Sequence, residues 1–398
     1  MASRDPRWVL KDRPSFALII GLIVTGLCAL VSFAFDVLNG APTAPVEQFF
    51  ISLILALAPV PLLLAAVLAL DRMEPEPRSN LIFAFAWGAG VAVLVAGVIN
   101  SLNLHYIIDA ANLSAASARN IAATFGAPVV EETMKGLVLL GLLRFRRAEL
   151  DGPTDGIIYA SMVGLGFAMS ENVSYYIAAL NSDQGGIGLA ATVVLRGVLS
   201  PFAHPLFTSM IGVAVAYAAQ RQGSDRVFSI LAGWVGAMLL HGLWNGLSSY
   251  GGFPGLVIAY LVLLVVLVVL ILLVIRDRRR IVALLQRYLP PYEPTKLVNR
   301  ADIYMLSALS RRRQARQWAK VHGGKRGQRA MSDYQLAATE LGLLHERAAR
   351  RMIDEQTFHE EQRALLECMS TAKASFPASP AHLGAATRGT PPPGYAPG

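Results

Sequence analysis

Long apolar runs separated by short polar or basic links fill the first 275 positions of the chain. A helix that crosses a hydrocarbon core of about 30 Å needs about 20 mostly apolar residues. Eight runs meet that length, at 15–36, 48–70, 81–100, 120–143, 156–180, 190–218, 227–247 and 254–275. The pattern predicts an all-α fold, a polytopic transmembrane bundle of about eight spans. The first run is too long for a signal-peptide core and has no small-residue cleavage site behind it, so it is read as a retained span.

Past position 276 the pattern changes. SALSRRRQARQWAKVHGGKRGQR is basic and broken by glycines, whereas SDYQLAATELGLLHERAARRMIDEQTFHEEQRALLECM has helical spacing and a serine placed to cap its start. The chain is therefore expected to divide into an N-terminal segment 1–14, a membrane domain 15–275, a cytoplasmic basic and helical tail 276–370, and a Pro/Ala/Gly-rich stretch 371–398. That last stretch has too little apolar surface to fold and is expected to be disordered.

Composition agrees: 54% of residues are hydrophobic and 16% charged, too apolar for a soluble domain of this length. The basic residues around the spans are concentrated in alternate links. Arg4, Arg7, Lys11 and Arg13 precede the first span, Arg72 and Arg78 follow the second, Arg144, Arg146 and Arg147 the fourth, Arg221 and Arg226 the sixth, and Arg276, Arg278, Arg279 and Arg280 the eighth. Because basic links stay on the cytoplasmic side, this predicts a multi-pass protein of the cell membrane with both termini cytoplasmic. The charge is read as topology plus attraction to the lipid bilayer, not as nucleic-acid binding. Cys28 and Cys368 make neither a disulfide framework nor a cysteine metal motif.

Polar residues inside spans are costly and face protein or water, so the chemistry is sought there. The fourth span carries EETMK, with Glu131, Glu132 and Lys135. The fifth carries GFAMSENVSYY, with Glu171 and Asn172; the sixth RGVLSPFAHPLFTSMIG, with Arg196 and His204; the seventh LHGLWNGL, with His241 and Asn245. A separation of four puts Glu131 with Lys135, Phe167 with Glu171, and His241 with Asn245 on shared helix faces. Counting about 1.5 Å per residue along each span brings Glu131, His204 and His241 to one layer and leaves Glu171 about two turns further outward unless its helix is tilted. Lys135 is expected to neutralise a glutamate, Arg196 to snorkel to the interface, and Gly164 and Gly166 to permit close helix contact.

With these residues in order, the sequence resembles the PrsW family of intramembrane proteases, within the larger group that includes the CAAX prenyl endopeptidases. The elements that match are EExxK at Glu131, Glu132 and Lys135, FxxxE at Phe167 and Glu171, the histidine of PFAHPLFT, and HxxxN at His241 and Asn245, over roughly 80–250. The resemblance implies hydrolysis of a peptide bond in or near the membrane segment of a membrane protein substrate, in some members an anti-sigma factor. It makes Glu131 the expected general base, with Glu132 assisting or holding structure. His204 and His241 would bind a metal or polarise the scissile carbonyl, and Asn245 would donate to the oxyanion. Glu171, His204 and His241 together form a ligand set suited to Zn2+; with no HExxH helix present, zinc and metal-free glutamate chemistry both stay open. Two other classes are weighed. A proton-coupled transporter would also place Glu and His in the membrane, but predicts paired broken helices in two halves, which the sequence lacks. A non-catalytic scaffold would not need the full set of polar residues.

Overall fold

The computed structural model describes residues 16–38, 44–70, 72–111 and 113–376. The expected segment 1–14 lies outside the described residues, as does 377–398. Among the described residues every regular element is helical. In chain order these are α1 (Phe16–Leu38), α2 (Pro45–Leu57), α3 (Val60–Leu70), α4 (Arg78–Trp87), α5 (Val93–Ala111), α6 (Ala115–Ile121), α7 (Ala127–Phe145), α8 (Pro153–Leu180), α9 (Gly185–Thr192), α10 (Ala203–Ala219), α11 (Ser224–Tyr250), α12 (Gly252–Tyr288), α13 (Arg300–Leu306), α14 (Leu309–Ala349) and α15 (Glu355–Ala374). Short π-helical segments join α4 to α5 (Gly88–Ala92), α6 to α7 (Ala122–Gly126) and α9 to α10 (Val193–Leu199). Of the described residues, those up to Ile275 other than Arg72–Pro75 form one compact unit, and Arg72–Pro75 with the chain from Arg276 onward form another.

Six helical stretches are long and apolar enough to cross a membrane: Phe16–Leu38, Pro45–Leu70, Arg78–Asp109, Gly185–Ala219, Ser224–Tyr250 and Gly252–Tyr288. The protein is a multi-pass, all-helical membrane protein. The other two expected spans are α6–α7 and α8, helical throughout but less apolar because they carry the polar clusters. Their position explains that composition. Most of α8 is buried among other helices, whereas α1 turns Phe16, Ile23, Leu27 and Leu30 outward, as a lipid-facing helix does.

Several span limits differ from expectation. The run 48–70 is two helices that meet at Ala58–Pro59, and 190–218 is interrupted at Ser200–Phe202, where Pro201 cannot continue a helical ladder. The last span does not stop at 275: α12 continues to Tyr288, since RDRRRIVALLQRY contains no glycine or proline to end it. The basic stretch of the tail is broken at Gly324 (φ +61°), as expected, where α14 is two helices meeting at a kink. Helix α15 extends to Ala374, so the start of the stretch 371–398 is helical, not disordered.

Two glycine contacts set how closely the membrane helices pack around α8. At Gly156 and Gly212 the backbones of α8 and α10 touch, each glycine standing where a Cβ would come within 2.1 Å of the other's carbonyl oxygen. At Gly164 a Cβ would lie 2.6 Å from Pro205 N and 2.8 Å from the His204 carbonyl carbon. The first turn of α10, at His204–Pro205, is thus seated directly on α8. Gly164→Ala should destabilise by about 1–3 kcal/mol through overpacking and displace His204, whereas Gly141→Ala, with open space at its Cβ, should do neither. Thermal denaturation in detergent checks this, and equal melting temperatures for the two variants would overturn it.

The second unit has its own apolar core, built on Leu285, Leu289, Tyr334, Leu341, Leu344, Leu365 and Met369. Within it Arg312 is buried and donates to Met73 O (2.8 Å), Leu306 O (2.9 Å) and Thr339 Oγ1 (2.9 Å). Burial pushes its guanidinium down to about 10, still charged at neutral pH.

Candidate active site

Helix α7 carries Pro128 in its first turn, directly after the π-helical segment. From there Glu131, Glu132 and Lys135 follow on buried positions, facing α8, α10 and α11. Trp87 fixes the helix from α4 by donating its indole N–H to Met134 O (2.8 Å). Asn245 fixes it from α11: its amide donates to Ala123 O (2.8 Å), a carbonyl of the π-helical segment just before α7. The resemblance makes Asn245 a donor to the oxyanion, and the contact it makes here is to backbone.

Lys135 is the hub. Its ammonium is fully buried and donates to Glu132 Oε1 (2.9 Å), Glu131 Oε2 (3.3 Å) and His204 Nδ1 (2.9 Å), with the Phe167 ring centroid 3.7 Å away. An ammonium carries no acceptor, so His204 Nδ1 must accept and its Nε2–H must donate to Glu171 Oε2, 3.0 Å away. The neutral tautomer of His204 follows. Glu132 fixes the second imidazole in the same way. Its Oε1 accepts from His241 Nδ1 (3.0 Å) and its Oε2 from Thr208 Oγ1 (2.9 Å), and His241 Nε2 faces Glu131 Oε2, 3.9 Å off.

The two adjacent glutamates therefore differ in kind. Glu132, with no solvent exposure, spends both oxygens on Lys135, His241 and Thr208. Glu131 holds Lys135 more loosely, accepts from Asn100 Nδ2 (3.2 Å), and lines a cavity of about 580 Å3. The rings of His204 and His241 stand perpendicular with centroids 5.2 Å apart, and Phe207 stacks on His241 at 4.6 Å. Glu131, His204 and His241 each offer one ligand atom within 4.8 Å of the others, all three residues buried.

Two expectations about depth are corrected. Glu171 is not two turns away from the imidazoles, since its Oε2 lies 3.0 Å from His204 Nε2 and it lines the same cavity as Glu131. Arg196 does not snorkel: it pairs with Glu171, donates from Nε to Asn172 Oδ1 (2.7 Å) and lies over the Tyr175 ring at 3.8 Å. With Glu171 held by Arg196, the carboxylate in the compact trio is Glu131. Asn100 and Thr208 went unnoticed in the sequence. Both were detectable as polar residues in apolar runs, Thr208 lying four residues after His204 and so on its face of α10.

Residues 76–273 match the family described as PrsW family intramembrane metalloprotease. Among similar proteins, Protease PrsW of Geobacillus kaustophilus is 29% identical over 177 residues, covering 44% of this chain and 70% of that protein. Protease PrsW of Oceanobacillus iheyensis is 27% identical over 208 residues, covering 52% and 87%. Protease PrsW of Shouchella clausii is 32% identical over 140 residues, covering 33% and 60%. No solved structure matches the chain. The matched region holds every one of the residues gathered around Lys135, and the chain belongs to the PrsW family of intramembrane proteases.

Proposed function

We propose that the Lys135 cluster is the catalytic centre of this membrane protease, and that Glu131 takes the proton of the water that attacks a peptide bond of a membrane protein substrate. The observation that carries this is the contrast between the two glutamates: Glu132 is saturated by protein donors, while Glu131 faces a cavity large enough to admit water and a peptide segment. Glu132 acts through others, holding His241 with Nε2 facing Glu131 and anchoring Lys135. Lys135 places a positive charge beside the position where negative charge develops during attack. Arg196 keeps Glu171 in place to hold the His204 tautomer.

The donor set also fits a divalent metal. Glu131, His204 and His241 are buried, mutually close, and of the carboxylate and imidazole types that suit zinc, and the Glu132 carboxylate behind His241 is the partner that a metal-bound imidazole requires. His204 would join them by releasing Lys135, which frees the Nδ1 lone pair while Nε2–H stays on Glu171. A zinc ion held there would supply Lewis acidity and a more acidic bound water, and would leave Glu131 only its second carboxylate oxygen to take the proton. The basic residues at 144–147, 221–226 and 276–280 support cytoplasmic termini in the cell membrane, and regulated cleavage of an anti-sigma factor is one role compatible with this reading.

The test is cleavage of single-span reporters by the full chain in proteoliposomes, together with metal analysis of the purified protein. Stoichiometric zinc in the wild type, lost in His241→Ala, with cleavage lost on chelation and restored by zinc, is the expected result. Cleavage that persists in a metal-free sample overturns the metal assignment, and cleavage that persists in His241→Ala overturns the site.

A further inference from the structure

We propose that the cavity bounded by α1, α5 and the two glutamates Glu131 and Glu171 seats an unwound segment of the substrate, and that Asp36 recognises a lysine or arginine side chain of that segment. This rests on the protease reading given above. The cavity, of about 580 Å3, falls within the range of about 300–1,000 Å3 typical of ligand sites. Asp36 from α1 and Asn100 from α5 line it together with both glutamates.

Two acceptor atoms in this wall are buried and have no donor among the described residues: Asp36 Oδ2 and Asn100 Oδ1. Asp36 is only 8% exposed, and its other oxygen accepts from Ser174 Oγ at 2.7 Å. The orientation of the Asn100 amide is fixed, because its Nδ2 donates to Glu131 Oε1, so the oxygen is what remains. Buried acceptors are rarely left unpaired, and two in one cavity beside a water-activating carboxylate point to a ligand that brings donors.

The nature of the donors narrows the ligand. A transmembrane helix has its backbone N–H groups satisfied internally, and only an unwound stretch offers them; a peptide bond must be unwound to be attacked as well. Asn100 Oδ1, on the residue that touches Glu131, suits such a backbone N–H. Asp36, a carboxylate with one free oxygen near the C-terminal end of α1, suits a cationic side chain, the pairing that yields the strongest hydrogen bonds. An acyl chain has no donors and would leave both oxygens unpaired.

The experiment measures binding of synthetic single-span peptides to the full chain in phosphatidylcholine nanodiscs, by fluorescence anisotropy. The peptides carry Lys, norleucine or Glu at one position near the end of the apolar stretch, walked through successive positions. At one position the wild type should bind the Lys peptide about tenfold tighter than the Glu peptide; Asp36→Asn should erase most of that preference and Asp36→Lys should reverse it. If Asp36→Lys does not fold, Asp36→Asn decides alone. No binding, no charge preference, or a preference unmoved by substitution at Asp36 overturns the proposal, as does a copurifying phospholipid that the Lys peptide cannot displace. Cleavage of the same peptides is scored separately: Asp36-dependent binding without any cut removes the protease reading alone, and cleavage without charge preference removes this proposal alone.

Discussion

Glu131→Gln should lower the turnover of a single-span reporter by about 10²–10⁴-fold, the range supplied by a positioned general base, with the protein still folded. Glutamine keeps the shape of the side chain and an oxygen for the Asn100 amide, and Lys135 remains anchored by Glu132. The melting temperature should therefore stay close to that of the wild type. Glu132→Gln should behave differently, losing activity and stability together, because it weakens the contacts to His241, Thr208 and Lys135 at once. Initial rates at matched amounts of folded protein check both; turnover within tenfold of wild type in Glu131→Gln would remove that residue from the reaction.

The second large effect is expected at Lys135. Lys135→Met takes away the cation shared by two buried carboxylates and the donor that sets the His204 tautomer. Breaking a buried ion pair by deleting one partner costs about 3–5 kcal/mol, since it strands the opposite charge. The variant should unfold at markedly lower temperature or fail to accumulate. The double variant Lys135→Met with Glu132→Gln should regain a substantial part of the stability, because one stranded carboxylate is gone, yet remain inactive. A single variant with wild-type thermal stability would show that the cluster is not held by this ammonium.

The heart of the site was legible because helix periodicity is a local rule. The four-residue spacing of Glu131 and Lys135 predicts a contact, and they are paired in the structure at 3.3 Å. The glycines of GLGF were read as close-contact residues, and Gly164 does sit on the His204–Pro205 backbone. What failed was depth counting. It assumes spans that run straight across the membrane, whereas α8, which carries Glu171, is 28 residues long, Pro153–Leu180, more than a perpendicular crossing needs. Glu171 was consequently placed too far out. Arg196 was misread for a related reason, as its partners are on α8 and no local rule connects positions 171 and 196. Helix ends suffered likewise, because the passage from lipid to water leaves no mark on a backbone such as that of α12, which stays helical through it.

Neighbouring positions on an α-helix point about 100° apart, so rotational phase, and not residue type, allots different duties to two identical side chains at 131 and 132. The π-helical turn at Ala122–Gly126 is what lets that phase be chosen independently of α6, since such a turn accommodates one extra residue in the helical path. Among relatives of this chain, gaining or losing a single residue between the start of α6 and Pro128 therefore carries a meaning that a substitution there does not: it would change which glutamate faces the cavity.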